Sequence, residues 1–192
     1  MAEEIEAKVR VADPDAFRRC MVERGGEPQW SEAEFNRLFD DAAGTLRRSG
    51  SAVRLRAVEA GLRCGGAVAQ TFLTYKGPRR PGPLKQREEV ETEVESAEAM
   101  RGILGHLGLH ETFCYEKRRT VWHVGPCEVA LDELPHLGWF VEVEGPTAEA
   151  IRACLEDVGL AGEPLVAEDY IHLLTEELRR LGRDPARAAF EA

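Results

Sequence analysis

One pattern constrains this chain more than any other: charged and apolar residues alternate, and the alternation returns along several separate segments. In Glu4-Ile5-Glu6-Ala7-Lys8-Val9-Arg10-Val11 every even position is charged and every odd one apolar. Successive strand side chains point to opposite faces, so this is a strand with two unlike faces. Val53-Arg54-Leu55-Arg56-Ala57 alternates again, and Arg87, Glu89, Glu91 and Glu93 oppose Glu88, Val90, Thr92 and Val94. Segments 115–124, 128–132 and 139–144 read as further strands. One such strand alone would show its charges to water. Repeated Arg-x-Arg and Glu-x-Glu doublets fit that poorly, because like charges two apart share a face and repel. With amphipathic helices to cover the apolar faces, the charged faces can turn toward one another inside a closed barrel. The predicted class is α+β: a closed antiparallel β-barrel with a polar interior and helices packed outside.

The helices carry their own signals. Asp13-Pro14 supplies an N-cap and a first-turn proline, and the helix runs to Arg24, where Gly25-Gly26 ends it. Ser96 caps a helix with an apolar stripe at Met100, Ile103, Leu104 and Leu107. Thr147 caps one carrying Ile151, Leu155 and Val158, and Asp169 begins a last one with Ile171, Leu174, Leu178 and Leu181. Glu34–Asp40 reads as a strand, 43–48 as a turn into a short helix, and 69–76 as a strand rich in Thr, Phe and Tyr. The Pro/Gly run 77–83 is a loop.

At 192 residues one domain is the expectation, with a core that needs no staples. A net charge of -10 argues against nucleic acid as a partner, since phosphates require a basic face. Cys20, Cys64, Cys114, Cys127 and Cys154 are scattered and form no C-x-x-C, so they read as reduced thiols. No apolar run nears the ~20 residues that would span a membrane, and a charged pattern stands where a signal peptide would begin. The cytoplasm is the expected compartment, and no membrane partner is expected.

Charge turned into a barrel must be paired, metal-bound or wet. Arg and Lys in number suit a polyanion with several phosphates. Carboxylate doublets suit Mg²⁺ or Mn²⁺, hard cations that take oxygen ligands and bridge to substrate phosphates. Together they describe a triphosphate and its metal.

The same residues carry a family resemblance. Glu4-x-Glu6-x-Lys8 resembles the E-x-E-x-K signature of the CYTH superfamily, the triphosphate tunnel metalloenzymes. The ordered series behind it makes the match specific: Arg54-x-Arg56, Thr74-Tyr75-Lys76-Gly77-Pro78, Arg87-x-Glu89-x-Glu91, Lys117-x-Arg119, Asp132, and Leu137-Gly138-x-x-Val141-Glu142-x-Glu144. Asp169-Tyr170-x-x-Leu173-Leu174 resembles a closing S-Y-x-x-L-L, with Asp in place of Ser. The look is closest to the class IV adenylyl cyclase branch.

The resemblance covers roughly residues 3 to 175 and implies a tunnel of eight antiparallel strands. One domain is expected over residues 1–182, and the polar, Ala-rich tail at 183–192 is expected to fray. It implies phosphate binding by Lys8, Arg54, Arg56, Lys76, Arg87, Lys117 and Arg119. It also implies one or two Mg²⁺ or Mn²⁺ ions held by Glu4, Glu6, Glu142 and Glu144, then by Glu89, Glu91 and Asp132. Lys8 is the candidate general base. Hydrolysis of the terminal phosphate of tripolyphosphate or a nucleoside triphosphate is the expected reaction. Cyclisation of ATP is the runner-up, followed by thiamine triphosphate hydrolysis or binding without turnover. Thiamine triphosphatases place a tyrosine around Leu38-Phe39, which this chain lacks. The resemblance also implies a homodimer, for which the sequence shows no interface.

Other signals carry less. His106 and His110 are four apart, but glycines interrupt the helix and no third ligand is apparent. Gly61-x-x-x-Gly65-Gly66 lacks the Lys-Ser/Thr of a phosphate loop and reads as a hairpin connection. Arg79-Arg80 is a candidate contact to substrate, and Trp139 a candidate for the tunnel mouth.

Overall fold

Alternation along the strands becomes inside and outside in the computed structural model, which describes residues 2–61, 70–82 and 84–191. The expectations for Cys64, Gly65-Gly66, Ala69 and Pro83 lie outside the described residues. Eight strands close the barrel: β1 (Ala2–Val11), β2 (Trp30–Asp40), β3 (Ala52–Gly61), β4 (Gln70–Lys76), β5 (Lys85–Glu93), β6 (His110–Val124), β7 (Cys127–Leu134) and β8 (Gly138–Glu144). Around the barrel they run β2-β3-β4-β5-β1-β8-β7-β6, and β2 pairs with β6 to close the circle. All these pairings are antiparallel.

Among the described residues five helices complete the α+β fold: α1 (Pro14–Glu23), α2 (Thr45–Ser49), α3 (Ala97–His106), α4 (Ala148–Asp157) and α5 (Tyr170–Arg180). Their starts follow from local chemistry. Asp13 accepts from the backbone N–H of Asp15 and Ala16, Ser96 from Ala99, Thr147 from Ala150, and Asp169 from His172. Each side chain thereby satisfies amides that the helix leaves open.

Three apolar clusters place the helices. Outward residues of β1, β7 and β8, including Val9, Leu131, Val141 and Val143, pack with Phe17 and Met21 of α1 and Ile151, Cys154 and Leu155 of α4. Leu104 of α3 covers Phe39 and Leu55. In the third, Tyr170, Leu174 and Leu178 of α5 meet Leu38, Phe113, Tyr115, Leu134 and Phe140. Leu38 shares a face with Glu34, Phe113 with Lys117, and Phe140 with Glu142, so these apolar residues lie on the inner wall. Unlike α1, α3 and α4, then, α5 plugs one end of the barrel. The tail adds a short ninth strand, β9 (Arg187–Ala188), parallel to β6 at Cys114 and Tyr115.

Candidate functional site: a charged tunnel

The inward faces enclose a cavity of about 960 Å³, near the upper end of the roughly 300–1,000 Å³ common for small-molecule sites. Cations enter it from five strands: Lys8 from β1, Arg54 and Arg56 from β3, Lys76 from β4, Lys85 and Arg87 from β5, and Lys117 and Arg119 from β6. Glu4, Glu6, Glu89, Glu91, Glu142 and Glu144 line it too. All the residues expected to bind phosphate therefore share one cavity, with every expected metal ligand except Asp132.

The charges neutralise one another across strands. Glu4 accepts from Lys76 at 2.8 Å and from Arg87 Nε at 2.9 Å. Glu6 takes Lys85 at 2.9 Å, and Glu142 takes Lys8 at 3.3 Å and Arg119 at 2.6 Å. Glu91 pairs with Arg56 at 3.1 Å and accepts from the Thr74 hydroxyl at 2.6 Å. Asp132 stands behind this wall. Its carboxylate receives two 2.7 Å bonds from Arg119 and one of 3.0 Å from the Tyr170 hydroxyl, so it positions the arginine and ties α5 to the barrel.

Two groups remain open. Nε of Arg54 and Nε of Arg56 are buried with no hydrogen-bond partner among the described residues. Glu144 and Glu128, opposite each other in the β7–β8 register, make no ion pair with any described cation.

Burial and neighbouring charge set the proton affinities. Burial pulls the Lys8 ammonium down to about 8, Glu142 partly restores it, and Lys85 lowers it further. Burial favours the neutral acid at Glu34 and Glu142, but Lys117 and Arg119 beside both, with Lys8 beside Glu142, hold each well below the usual carboxylate range. Glu144 behaves oppositely: burial first, then the like charges of Glu4, Glu128, Glu89 and Glu6, push it up to about 7. Burial also raises the Tyr115 phenol, which stays a proton donor.

Several tunnel residues escaped the sequence reading. Lys85 sits two residues before Arg87 on the same face, hidden because β5 begins earlier than its alternation suggests. Glu34 is fully buried between Lys117 (3.1 Å) and Arg56 (3.4 Å). A tyrosine does reach the neighbourhood of Leu38, but from β6: Tyr115 stands opposite Asn36, next to the Leu38–Phe113 pair. The ring of Tyr170 lies 3.7 Å beneath Lys8 Nζ.

Other candidates fall elsewhere. Arg10 is exposed and donates to the Leu137 carbonyl at 2.8 Å. Arg79 donates to the Ala167 carbonyl and Arg80 pairs with Glu3, so both are engaged outside the cavity. Trp139 packs beside the outer core, under the Arg18 guanidinium. His106 ends α3 while His110 begins β6, so they share no helical face.

No group of three or more His, Cys, Asp or Glu among the described residues is already spaced to hold a metal ion. The donor chemistry nevertheless fits a hard divalent cation at Glu144. Glu144 and the unpaired Glu128 face each other there, and burial, followed by the like charges of Glu4, Glu128, Glu89 and Glu6, raises the proton affinity of Glu144. Among the described residues no helix is long and apolar enough to cross a membrane.

The fold is shared with known proteins. Residues 2–157 match the CYTH domain family, and the chain belongs to that family. The adenylate cyclase CyaB of Aeromonas hydrophila is 26% identical over 185 residues, covering 91% of this chain and 90% of that protein. A solved Pyrococcus horikoshii protein superposes with a TM-score of 0.77 at 25% identity, covering 90% of this chain and 98% of its own. A Hippeastrum protein, provisionally called an adenylyl cyclase and described as having a dominant triphosphatase activity, superposes with a TM-score of 0.65 at 19% identity. That alignment covers 94% of this chain and 97% of its own.

Proposed function

We propose that this protein is a divalent-metal-dependent triphosphatase that binds a triphosphate along the barrel interior and hydrolyses its terminal phosphate. The observation that carries the reading is the cation set entering from five strands, with the Nε–H groups of Arg54 and Arg56 buried and without a partner among the described residues. Buried donors without acceptors are costly, and phosphate oxygens would satisfy them.

Lys8, Arg54, Arg56, Lys76, Lys85, Arg87, Lys117 and Arg119 hold the phosphate oxygens. Asp132 and Glu34 fix the geometry of Arg119 and Lys117 from behind. Glu144, Glu128, Glu4 and Glu6 would hold Mg²⁺ or Mn²⁺, which supplies charge neutralisation and orientation of the phosphate chain. Glu142, Glu89 and Glu91 balance the cations. Lys8 takes the proton from the attacking water, because an amine drawn down to about 8 carries a neutral fraction near neutral pH. Oxygen then bonds to the terminal phosphorus as its bond to the diphosphate leaving group breaks.

The naming of the Aeromonas relative makes cyclisation of ATP the second reading. The test is incubation of purified protein with ATP, tripolyphosphate or thiamine triphosphate, each with Mg²⁺ or Mn²⁺. Release of inorganic phosphate is expected. Cyclic AMP and pyrophosphate as the main products would overturn hydrolysis, and absence of any product would leave a binding module.

A further inference from the structure

Lys8 is gripped by a segment that belongs to none of the eight barrel strands. β5 pairs with β1 from Ala2 to Glu6. Past that point the connection between α4 and α5 runs along β1 instead: Leu165 bridges Val9, and the Val166 N–H donates to the Lys8 carbonyl at 2.7 Å. The same connection then reaches the tip of the side chain. The Glu168 carbonyl accepts from Lys8 Nζ at 3.1 Å, and the Tyr170 ring at the start of α5 lies 3.7 Å from that nitrogen. Glu142 approaches it from the barrel wall at 3.3 Å. An ammonium on a flexible four-carbon stem is thus held at both ends.

Arg79 takes hold of this connection from outside the cavity. Its guanidinium donates to the carbonyl of Ala167, the residue between Val166 and Glu168. Arg79 itself stands on a fixed base. The Gly77 N–H donates to the Glu88 carbonyl at 2.9 Å, the Arg80 N–H donates to the Gln86 carbonyl at 2.7 Å, and the Arg80 guanidinium pairs with Glu3. The 77–82 loop is therefore braced against β5 and β1. Arg79 and Ala167 are both exposed, so their bond is made in competition with water and adds little to the stability of the fold. Its geometric effect is larger. Peptide planarity leaves only the two backbone dihedrals of Glu168 between the carbonyl that Arg79 holds and the carbonyl that holds Lys8. We infer that Arg79 is a positioning residue: from outside the tunnel it fixes the 165–168 connection, and through the Glu168 carbonyl it fixes the Lys8 amine. The inference rests on the proposed triphosphatase reading, in which Lys8 meets the attacking water. Displacing such a group by about 1 Å can cost up to roughly a hundredfold in rate.

Arg79→Ala, Arg79→Lys, Lys8→Met and the double variant combining Arg79→Ala with Lys8→Met test the assignment. Each is assayed beside the wild-type protein with Mg²⁺, on tripolyphosphate and on ATP. Arg79→Ala should lower kcat by about fivefold or more and leave KM within about twofold, because the cations that hold phosphate are untouched. Arg79→Lys, which can still donate to the Ala167 carbonyl, should recover most of that loss. Lys8→Met should be strongly impaired, and adding Arg79→Ala to it should cost nothing further, since the group being positioned is gone. A residue that only braced the fold would lower activity by the same factor in both backgrounds, together with the urea midpoint. That result overturns the positioning role, and so does a loss confined to KM. Wild-type kcat in Arg79→Ala beside an impaired Lys8→Met defeats the role of Arg79 and leaves the triphosphatase reading standing. Wild-type kcat in Lys8→Met, or no turnover of either substrate by the wild-type protein, defeats that reading and the inference with it.

Discussion

At the scale of single residues, this tunnel is a set of carboxylates with opposite fates. Glu34 and Glu142 face cations and stay ionised, while Glu144 faces other carboxylates and holds its proton up to about 7. The sign of its effect on stability follows. Below its ordinary value near 4.5 the group is protonated both folded and unfolded, and contributes nothing. As pH rises from there to about 7, the unfolded chain releases the proton and the folded one retains it, so stability falls across that window and then levels off. Glu144→Gln removes this penalty. In metal-free protein the variant should match the wild type near pH 4.5 and exceed it in urea midpoint at pH 7 and above. A difference between the two that stays constant from pH 4.5 to 8 would refute the unrelieved carboxylate cluster.

At the scale of elements, the alternation was legible wherever one strand face is charged and the other apolar. By itself it puts Glu4, Glu6 and Lys8, and likewise Arg54 and Arg56, on one face, which is the tunnel side. Glu34 was harder to see, because the residues around it are mixed on both faces and burial comes only when β2 meets β3 and β6. Tyr115 and Tyr170 hid for a different reason: an aromatic on a barrel's inner wall reads in sequence like any core residue. The apolar stripe of α5 showed which of its faces is buried, while its place at the barrel end depends on Leu38, Phe113 and Phe140 arriving from three strands. Close approach between elements was also invisible. Where β8 turns toward α4, a Cβ on Gly145 would stand 2.7 Å from Cys127 Sγ and 3.1 Å from Ile151 Cγ1. Gly145→Ala should therefore destabilise by about 1–3 kcal/mol in urea denaturation through overpacking. Combining it with Cys127→Ala, which removes the closest atom, should cost less than the sum of the two single changes. Strict additivity would mean that the contact with Cys127 is not the cause.

At the scale of the whole molecule, a chain of net charge -10 encloses a dense set of cations, and the barrel reconciles the two by pairing them with carboxylates from adjacent strands and from strands one further round the wall. A triphosphate entering this network competes with those carboxylates for Lys76, Arg87 and Lys117. Every carboxylate it displaces is left with excess negative charge, which a divalent cation would relieve. Metal and triphosphate should therefore assist each other's binding, and that coupling must be reciprocal. Each ligand alone raises thermal stability by mass action, about 2.7 kcal/mol at a concentration of one hundred times its dissociation constant. With tripolyphosphate and Mg²⁺ together, the gain in Tm should exceed the sum of the separate gains once the affinity of free Mg²⁺ for tripolyphosphate in solution is subtracted. Merely additive gains would mean that the carboxylates are not released when phosphate binds, and that the tunnel holds its anion without exchanging partners.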